Sequence, residues 1–474
     1  MTRLGPARPR VVLYNPRAVF HTMPLALVAV GSALDRQAID VTIVDGRLED
    51  DPVATVARAA EGAVVVGLSV LTGAPIRDAL AVSRAVKAAA PACLVVWGGW
   101  HPSLFPADCL DEPSVDAVVV GQGEITFQEV VQRAVEGRGL AGCAGTIARD
   151  GTGVVAGPPR PLVELARLPA HDYGLIDVEA YFARKGTRQL DYVSSQGCRF
   201  RCAFCADPAV FGRAWTGLPP ERVASELQAL RARYRVDDVA FQDETFFTAP
   251  SRIAALAREL TARRVGVTWT ATLRADQACR LGQAAFSAAV ASGLRRVMVG
   301  VESGAPETLA RLRKDVSLAQ VREAAALLAR HGVGATFNFI VGFPGERRES
   351  VQATLDLAKT LRRMSPAFDT PVFYYQPYPG NPIADEAAAA GHAFPRGLEA
   401  WADFDYVGGR GPWITPEVWR TVEAFKFYAR HAWRPGVWRW PLRVAARMRC
   451  DHDFYGWPIE KRLVEMVRPP EPVS

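Results

Sequence analysis

Three cysteines, Cys198, Cys202 and Cys205, stand in the stretch Ser-Ser-Gln-Gly-Cys-Arg-Phe-Arg-Cys-Ala-Phe-Cys-Ala-Asp at residues 194–207, spaced C-x3-C-x2-C. Three thiolates so close in sequence can hold three irons of a four-iron cluster, and the fourth iron then has no protein ligand and is open to a small molecule. A zinc site would need a fourth Cys or His at similar spacing, and none lies close by. A disulfide scaffold fits poorly with eight cysteines in 474 residues and with a polar start carrying Pro6 and Pro9 in place of a secretory signal.

The elements around this loop follow from periodicity. In the second half of the chain, apolar runs at residues 239–242, 268–272, 296–301, 336–341 and 372–375 alternate with helical stretches at 220–234, 251–263, 283–291, 318–330 and 348–361. Such repeats build a partial β/α barrel whose active site lies at the carboxyl ends of its strands. Those ends carry Asp243, Glu244, Arg274, Glu302, Ser303 and Gly342. The planar fork of Arg274 suits a carboxylate, Glu302 and Ser303 suit sugar hydroxyls, and the glycine turn at Gly342 can lie against a flat ring. Any one of them also reads as a solvated turn residue.

The first half repeats the alternation, with strands expected at 11–14, 41–44, 63–68, 94–97 and 115–120 and helices at 24–36, 52–60, 74–90, 107–110 and 125–136. Five such units make a doubly wound, flavodoxin-like α/β domain that binds ligands outside its carboxyl strand ends. Polar and glycine-rich loops fall there: Ser69 to Gly73, then Gly98-Gly99-Trp100-His101-Pro102-Ser103, then Gly121-Gln122-Gly123-Glu124. Glycines let backbone amides approach a bulky ligand, although in a plain flavodoxin-like domain they would only turn the chain.

The cysteine spacing resembles that of the radical S-adenosylmethionine enzymes, and the glycine loops resemble the cobalamin-binding domain that precedes many of them. The resemblance implies a [4Fe-4S] cluster at Cys198, Cys202 and Cys205 that cleaves S-adenosylmethionine to methionine and a 5'-deoxyadenosyl radical. It also implies acidic groups, Asp243 and Glu244, near the substrate and the adenosylmethionine amine. Cobalamin is expected against Ser69, Leu71, Thr72, Gly98, Gly99, His101, Gly121, Gly123 and Glu124. The Asp-x-His-x-x-Gly motif that ligates cobalt in methionine synthase and the cobalamin mutases is absent after the first strand, where Asn15-Pro16-Arg17-Ala18-Val19-Phe20 stands instead. His21 lacks the orienting Asp. The cobalt is therefore expected without a histidine below it, facing the Val70-Leu71-Thr72 loop, with His101 touching the ligand's tail or the Gly98-Gly99 turn. Lys314 matches the family's pattern, yet a Lys at a helix start ordinarily belongs to a solvated face.

The stretch Tyr374-Tyr375-Gln376-Pro377-Tyr378-Pro379-Gly380-Asn381 resembles the family's segment at the sixth strand, with Asn381 in place of Thr. Tyr374 and Tyr375 are candidates for shaping the pocket or donating a hydrogen atom, against the commoner role of core packing. Beyond them Trp401, Trp413, Trp419, Trp433, Trp438, Trp440 and Trp457 interleave with arginines such as Arg434, Arg439, Arg443 and Arg447. A helical cap that buries its tryptophans is expected, with an interfacial helix on anionic lipid as the alternative. The expected division is a cobalamin domain at 8–160, a linker at 161–185, a radical S-adenosylmethionine barrel at 186–390 and the cap at 391–474.

The net charge of +6 is modest and gives no reason to expect nucleic acid. No apolar run reaches the roughly 18 to 20 residues of a membrane span, so a cytoplasmic enzyme is expected, at most peripheral at a membrane. The leading expectation is a C-methyltransferase acting on an unactivated carbon of a hydrophobic or natural-product substrate, fed electrons by a ferredoxin or flavodoxin. A radical cyclase like the anaerobic magnesium-protoporphyrin monomethyl ester cyclases is the alternative in chemistry. A non-catalytic cobalamin carrier or sensor is the alternative in class.

Overall fold

The computed structural model describes residues 8–18, 22–151, 153–405, 409–433 and 440–467. Its first sheet holds β1 (Arg10–Asn15), β2 (Asp40–Asp45), β3 (Ala63–Ser69), β4 (Leu94–Gly98), β5 (Ala117–Val119), β6 (Thr146–Asp150) and β7 (Gly153–Ala156), in the order β2-β1-β3-β4-β5-β6-β7. Strands β1 to β5 are parallel. Their unbroken apolar runs reflect burial on both faces, under helices Leu25–Ala33 and Glu124–Val135 on one side and Pro52–Ala60 and Pro75–Ala89 on the other. Strand order reverses between β1 and β3, which opens a crevice at their carboxyl ends. The antiparallel β6 and β7 extend the edge. They escape sequence reading because Arg149, Asp150 and Gly153 interrupt any apolar pattern there.

The connecting residues do not form a loose linker. Leu165, Leu168, Tyr173 and Val178 are buried in the barrel's core. The Tyr181 hydroxyl donates to Asp45 Oδ2 at 2.5 Å, and Asp191, at the first barrel strand, accepts from Met23 N at 2.8 Å and pairs with Lys185 at 2.6 Å. The two domains are thus fastened through buried polar groups.

The second sheet begins at β8 (Gln189–Tyr192). A short antiparallel ribbon follows, β9 (Ser195–Gly197) with β10 (Trp215–Gly217). Strands β11 (Asp238–Phe241), β12 (Thr268–Leu273), β13 (Leu294–Glu302) and β14 (Gly334–Val341) then continue in parallel from β8, with β15 (Phe368–Asp369) and β16 (Val372–Tyr374) both beside β14. Helices Pro220–Tyr234, Gln283–Ala291 and Leu318–Arg330 occupy the residues that periodicity assigns them. The last begins at Ser317, whose hydroxyl accepts from Gln320 N at 3.2 Å while Gln320 Oε1 accepts from Ser317 N at 2.9 Å. Short helices Ala275–Leu281 and Pro306–Arg311, too brief to show a period, follow the ends of β12 and β13.

After the barrel, helix Pro416–Ala432 packs into the same core as β14 and helix Arg348–Met364. Helix Leu398–Ala402 crosses instead to the first domain. Its Trp401 stacks against Phe105 with ring centroids 4.3 Å apart, and its indole donates to Asp108 at 3.1 Å. The C-terminal region is therefore partly a cap on the barrel and partly a strap over the first domain. Trp438, Arg434 and Arg439 lie outside the described residues, as does His21.

Candidate active site

The cysteine loop is held at both ends by β9 and β10. Gly197, the last residue before Cys198, has φ +81°, and a side chain there would meet the Ala214 carbonyl at 2.3 Å, so only glycine lets the ribbon close. Within the loop, Ala203 N donates to the Leu312 carbonyl at 2.8 Å and the Ala203 carbonyl accepts from Ile383 N at 3.1 Å. Burial pushes the Cys205 thiol up to about 12 and raises Cys198 as well. Thiolates in this setting need a cation or metal to hold their charge. Among the described residues no three ligating side chains close around a single ion. The donor set, three sulfurs with no fourth, fits a cluster with an open iron better than a sealed zinc site.

Arg274 supplies fixed positive charge beside this loop. Its guanidinium stacks on Phe200 at 3.6 Å, lies 3.6 Å from Cys202 Sγ, donates to the Lys314 carbonyl at 2.6 Å and pairs with Asp276 at 3.0 Å. The expectation that it clamps a ligand carboxylate is corrected: its fork is spent on protein partners and anchors the cysteine loop. Asp207, two residues after Cys205 and given no role in the sequence reading, is buried with neither carboxylate oxygen bonded, and burial lifts it to about 6.

The strand-end acids separate into two kinds. Asp243 does not face the substrate as expected; it is buried and accepts from Ser194 N at 2.7 Å, Ser194 Oγ at 2.6 Å and Ser195 Oγ at 2.5 Å, which pins the chain leading into the cysteine loop. Its neighbour Glu244 points the other way, into the cavity between the domains, where its carboxylate accepts from Gly197 N at 3.1 Å. Low-dielectric surroundings, with Asp207 and Asp243 nearby, push Glu244 up to about 7.

At the end of β13, Glu302 adopts φ +70° at a register break against β14 and pairs with Lys314 at 2.6 Å, both side chains buried. Lys314 is thus not the solvated residue its position suggested. A side chain at Gly300 would fall 2.4 Å from Glu302 Oε1, so the pair depends on that glycine. Lys314→Met strands Glu302 in the interior and is expected to cost about 3–5 kcal/mol, seen as a lowered midpoint of urea unfolding that adding Glu302→Gln largely restores. Ser303 turns away from the site: its hydroxyl lies 3.1 Å from Thr354 Oγ1 and accepts from Ala305 N at 3.1 Å. It is not available to a sugar hydroxyl.

The turn at Gly342 has φ +76°, and a Cβ there would strike Ile414 at 2.5 Å. Glu346 closes it by accepting from Gly342 N at 2.6 Å and Phe343 N at 3.2 Å, and burial lifts its carboxyl to about 7. Between the ordinary 4.5 and about 7 the folded chain keeps a proton that the unfolded chain has lost, so this group's contribution to stability falls as pH rises through that window. The stability of Glu346→Gln relative to the natural chain is therefore expected to rise from about pH 5 to about pH 8 in paired thermal melts.

Tyr374 faces the cap, not a substrate. It stacks on Trp419 at 4.6 Å, donates to Glu423 at 3.0 Å and lies under the Lys426 ammonium. Tyr375 packs on Phe343 at 4.8 Å in a buried cluster with Ala203 and Leu312, with its hydroxyl 3.4 Å from Asn381 Oδ1. Both tyrosines are packing residues here.

On the first domain, Ser69, Leu71, Gly98, Gly99, Gly121, Gly123 and Glu124 line one cavity with about 1270 Å³ of space, part of it open to solvent. Its inner end runs between the sheet and helices Leu25–Ala33 and Glu124–Val135, past Leu13, Leu27, Gly67 and Phe127; its outer end meets Val193, Gln196, Phe211 and Glu244 of the second domain. A Cβ at Gly98 would have ordinary room, whereas Gly99, at φ +100°, approaches the Val70 backbone too closely for one. This deep apolar slot with a glycine rim fits a bulky planar ligand with an inserted tail. Thr72 and His101 do not line it. His101 is fully buried, with Nδ1 3.2 Å from Thr72 Oγ1 and its ring near Phe105 and Trp401, and burial pulls it down to about 3. Rather than contacting a ligand, it fixes the loop that presents Leu71. His171, from the connecting segment, does reach the cavity and is held neutral by burial, lowered to about 4.

Comparison with known proteins agrees with both halves. Residues 10–131 match the B12 binding domain and residues 192–358 the Radical SAM superfamily. An uncharacterized methyltransferase of Pyrococcus horikoshii is 32% identical over 370 residues, covering 77% of this chain and 78% of that protein. A cytidylyl-2-hydroxyethylphosphonate methyltransferase of Streptomyces wedmorensis is 25% identical, covering 81% and 83%. In fold, the chain superposes on the radical S-adenosylmethionine methyltransferase TsrM from Kitasatospora setae, solved with cobalamin and a [4Fe-4S] cluster, with TM-score 0.74 at 19% identity, covering 91% of this chain and 92% of that one. The chain belongs to the radical S-adenosylmethionine enzymes that carry a B12-binding domain, and its cofactors are a [4Fe-4S] cluster, S-adenosylmethionine and cobalamin.

Proposed function

We propose that this enzyme transfers a methyl group from S-adenosylmethionine to an unactivated carbon of a small hydrophobic or natural-product substrate. The observation that carries this reading is a large cavity lined by both domains, glycine-rimmed on one side and bordered on the other by Glu244 and the residues flanking the cysteine loop. When bound, the cluster with S-adenosylmethionine supplies a 5'-deoxyadenosyl radical and cobalamin supplies the methyl group.

The chain's own residues do the rest. Cys198, Cys202 and Cys205 hold the cluster, with Arg274 and Asp243 fixing their loop. Glu302, held by Lys314, and the Gly342 turn border the adenosylmethionine site. Leu71 and the rim glycines seat the corrin, and Trp100 of the first domain meets Phe211 of the second at 6.0 Å to wall the substrate space from water. Glu244 borders the substrate space and offers its carboxyl group to a polar group of the substrate, which orients the carbon that loses its hydrogen atom. Arg199, Arg201, Arg213 and Arg313 are exposed around the cysteine loop, a rim suited to an acidic ferredoxin or flavodoxin. The functional units proposed are residues 8–160 for cobalamin and 186–390 for the radical chemistry.

Anaerobic incubation of the reconstituted enzyme with S-adenosylmethionine and a low-potential reductant tests the reading without knowing the substrate. With no carbon acceptor present, methylation of the reduced cobalamin would leave up to about one equivalent of S-adenosylhomocysteine per enzyme, beside 5'-deoxyadenosine. Deoxyadenosine alone would sink it in favour of cyclase-type chemistry, and neither product would favour a cobalamin carrier.

A further inference from the structure

The last two described helices carry an apolar face that nothing in the described chain covers. In helix Trp440–Asp451, Trp440, Val444 and Met448 recur every fourth residue and are exposed; in helix Ile459–Val467, Ile459, Leu463 and Met466 do the same at helical spacing. In the turn between the helices, Trp457 is 79% exposed. Most of the large apolar side chains exposed among the described residues lie in this one stretch, while the opposite sides of the helices are anchored through buried Ala446, Cys450 and Tyr455. A patch of this kind on an otherwise well-packed enzyme marks a surface that meets something apolar.

Charge identifies the partner. The carboxylates of these helices are already matched: Asp451 with Arg363, Asp453 with Lys359 at 2.5 Å, Glu460 with Arg449 at 2.8 Å and Glu465 with Lys461 at 3.7 Å. Arg443, Arg447 and Arg462 have no ion-pair partner among the described residues, and the last two are exposed. A second copy paired about a twofold axis would bring these arginines to a face that offers no unmatched carboxylate. An anionic lipid surface offers phosphates to the arginines and acyl chains to the apolar stripe. No helix among the described residues is long and apolar enough to cross a membrane.

We propose that these two helices dock the enzyme on the surface of an anionic bilayer, lying in the interface with Trp457, Leu463 and Met466 inserted and Arg447 and Arg462 on the headgroups. Sedimentation of the full chain with vesicles of phosphatidylcholine alone, and of phosphatidylcholine with phosphatidylglycerol, tests it. Partitioning is expected to be roughly 30-fold stronger on the anionic vesicles and to weaken with added salt. The pair Arg447→Glu/Arg462→Glu is expected to abolish that preference. The pair Trp457→Ser/Leu463→Ser is expected to abolish binding with melting unchanged, since both side chains are exposed. A chain that stays monomeric and ignores both vesicle types overturns the proposal. So does one that forms a concentration-dependent dimer, lost in Trp457→Ser/Leu463→Ser, without binding vesicles.

Discussion

Replacing Cys202 by alanine is expected to reduce deoxyadenosine formation to background and to strip iron from the reconstituted protein, while the chain still folds. The loop holding Cys202 is set by the β9–β10 ribbon, by the backbone bonds of Ala203 to Leu312 and Ile383, and by the Arg274 stack on Phe200. None of these needs the sulfur. The cluster does: with two thiolates left, two irons lack protein ligands and the open site that binds S-adenosylmethionine is no longer unique. Iron content, the visible charge-transfer absorbance and deoxyadenosine yield report the loss together. Cys279→Ala is the control, because that thiol sits outside the loop, 3.8 Å from the Gln320 carbonyl, and all three readouts are expected to match the natural chain.

The second large effect is expected at Gly98. The nearest atom to a Cβ built there is Val119 Cβ at 3.7 Å, so a side chain can start there without a clash, and because Gly98 lines the cavity, the ring of Gly98→Phe is expected to occupy it. Cobalamin uptake, followed by absorbance after gel filtration, is expected to vanish. S-adenosylhomocysteine formation is expected to vanish with it, whereas deoxyadenosine formation continues because the cysteine loop is untouched. Gly99→Ala gives the contrasting failure. At φ +100°, with Val70 N and O each 3.0 Å from the new Cβ, it strains the backbone by about 1–3 kcal/mol and is expected to lower the melting temperature before it affects cobalamin. Loss of both products in Gly98→Phe would mean that the slot is not separable from the radical site.

Strand-end position is legible in a sequence; side-chain direction is not. Periodicity places most of the parallel strands and the long helices that connect them, and the cysteine spacing and glycine loops locate both ends of the cavity; the antiparallel strands and the long helix Pro416–Ala432 are not legible this way. The residues that were misjudged share one cause. Asp243 and Glu244 are adjacent in the loop beyond β11, which turns one into the core and the other into the cavity, a choice fixed by Ser194 and Ser195, which donate to the Asp243 carboxylate. Arg274 looked free to bind a carboxylate because its partners, Asp276 and the Lys314 carbonyl, include one forty positions away. Lys314 itself looked solvated because the bulge that brings Glu302 to it leaves no local signal. His101 carried the mark of a ligand contact, yet the aromatic group that buries it, Trp401, comes from the far end of the chain.

That last contact has a consequence for the order of events during synthesis. Asp108 and Trp401 are 293 positions apart, so at ribosomal speeds of about 5–20 residues per second the first domain waits roughly 15–60 s for its strap. Throughout that interval Phe105 and the ring of His101 face solvent on a domain whose sheet is otherwise complete. A nascent chain stalled before residue 398 would therefore present a sticky, half-finished surface, and chaperone capture or aggregation of such truncated products is the cost of closing the first domain with the last part of the chain to be made.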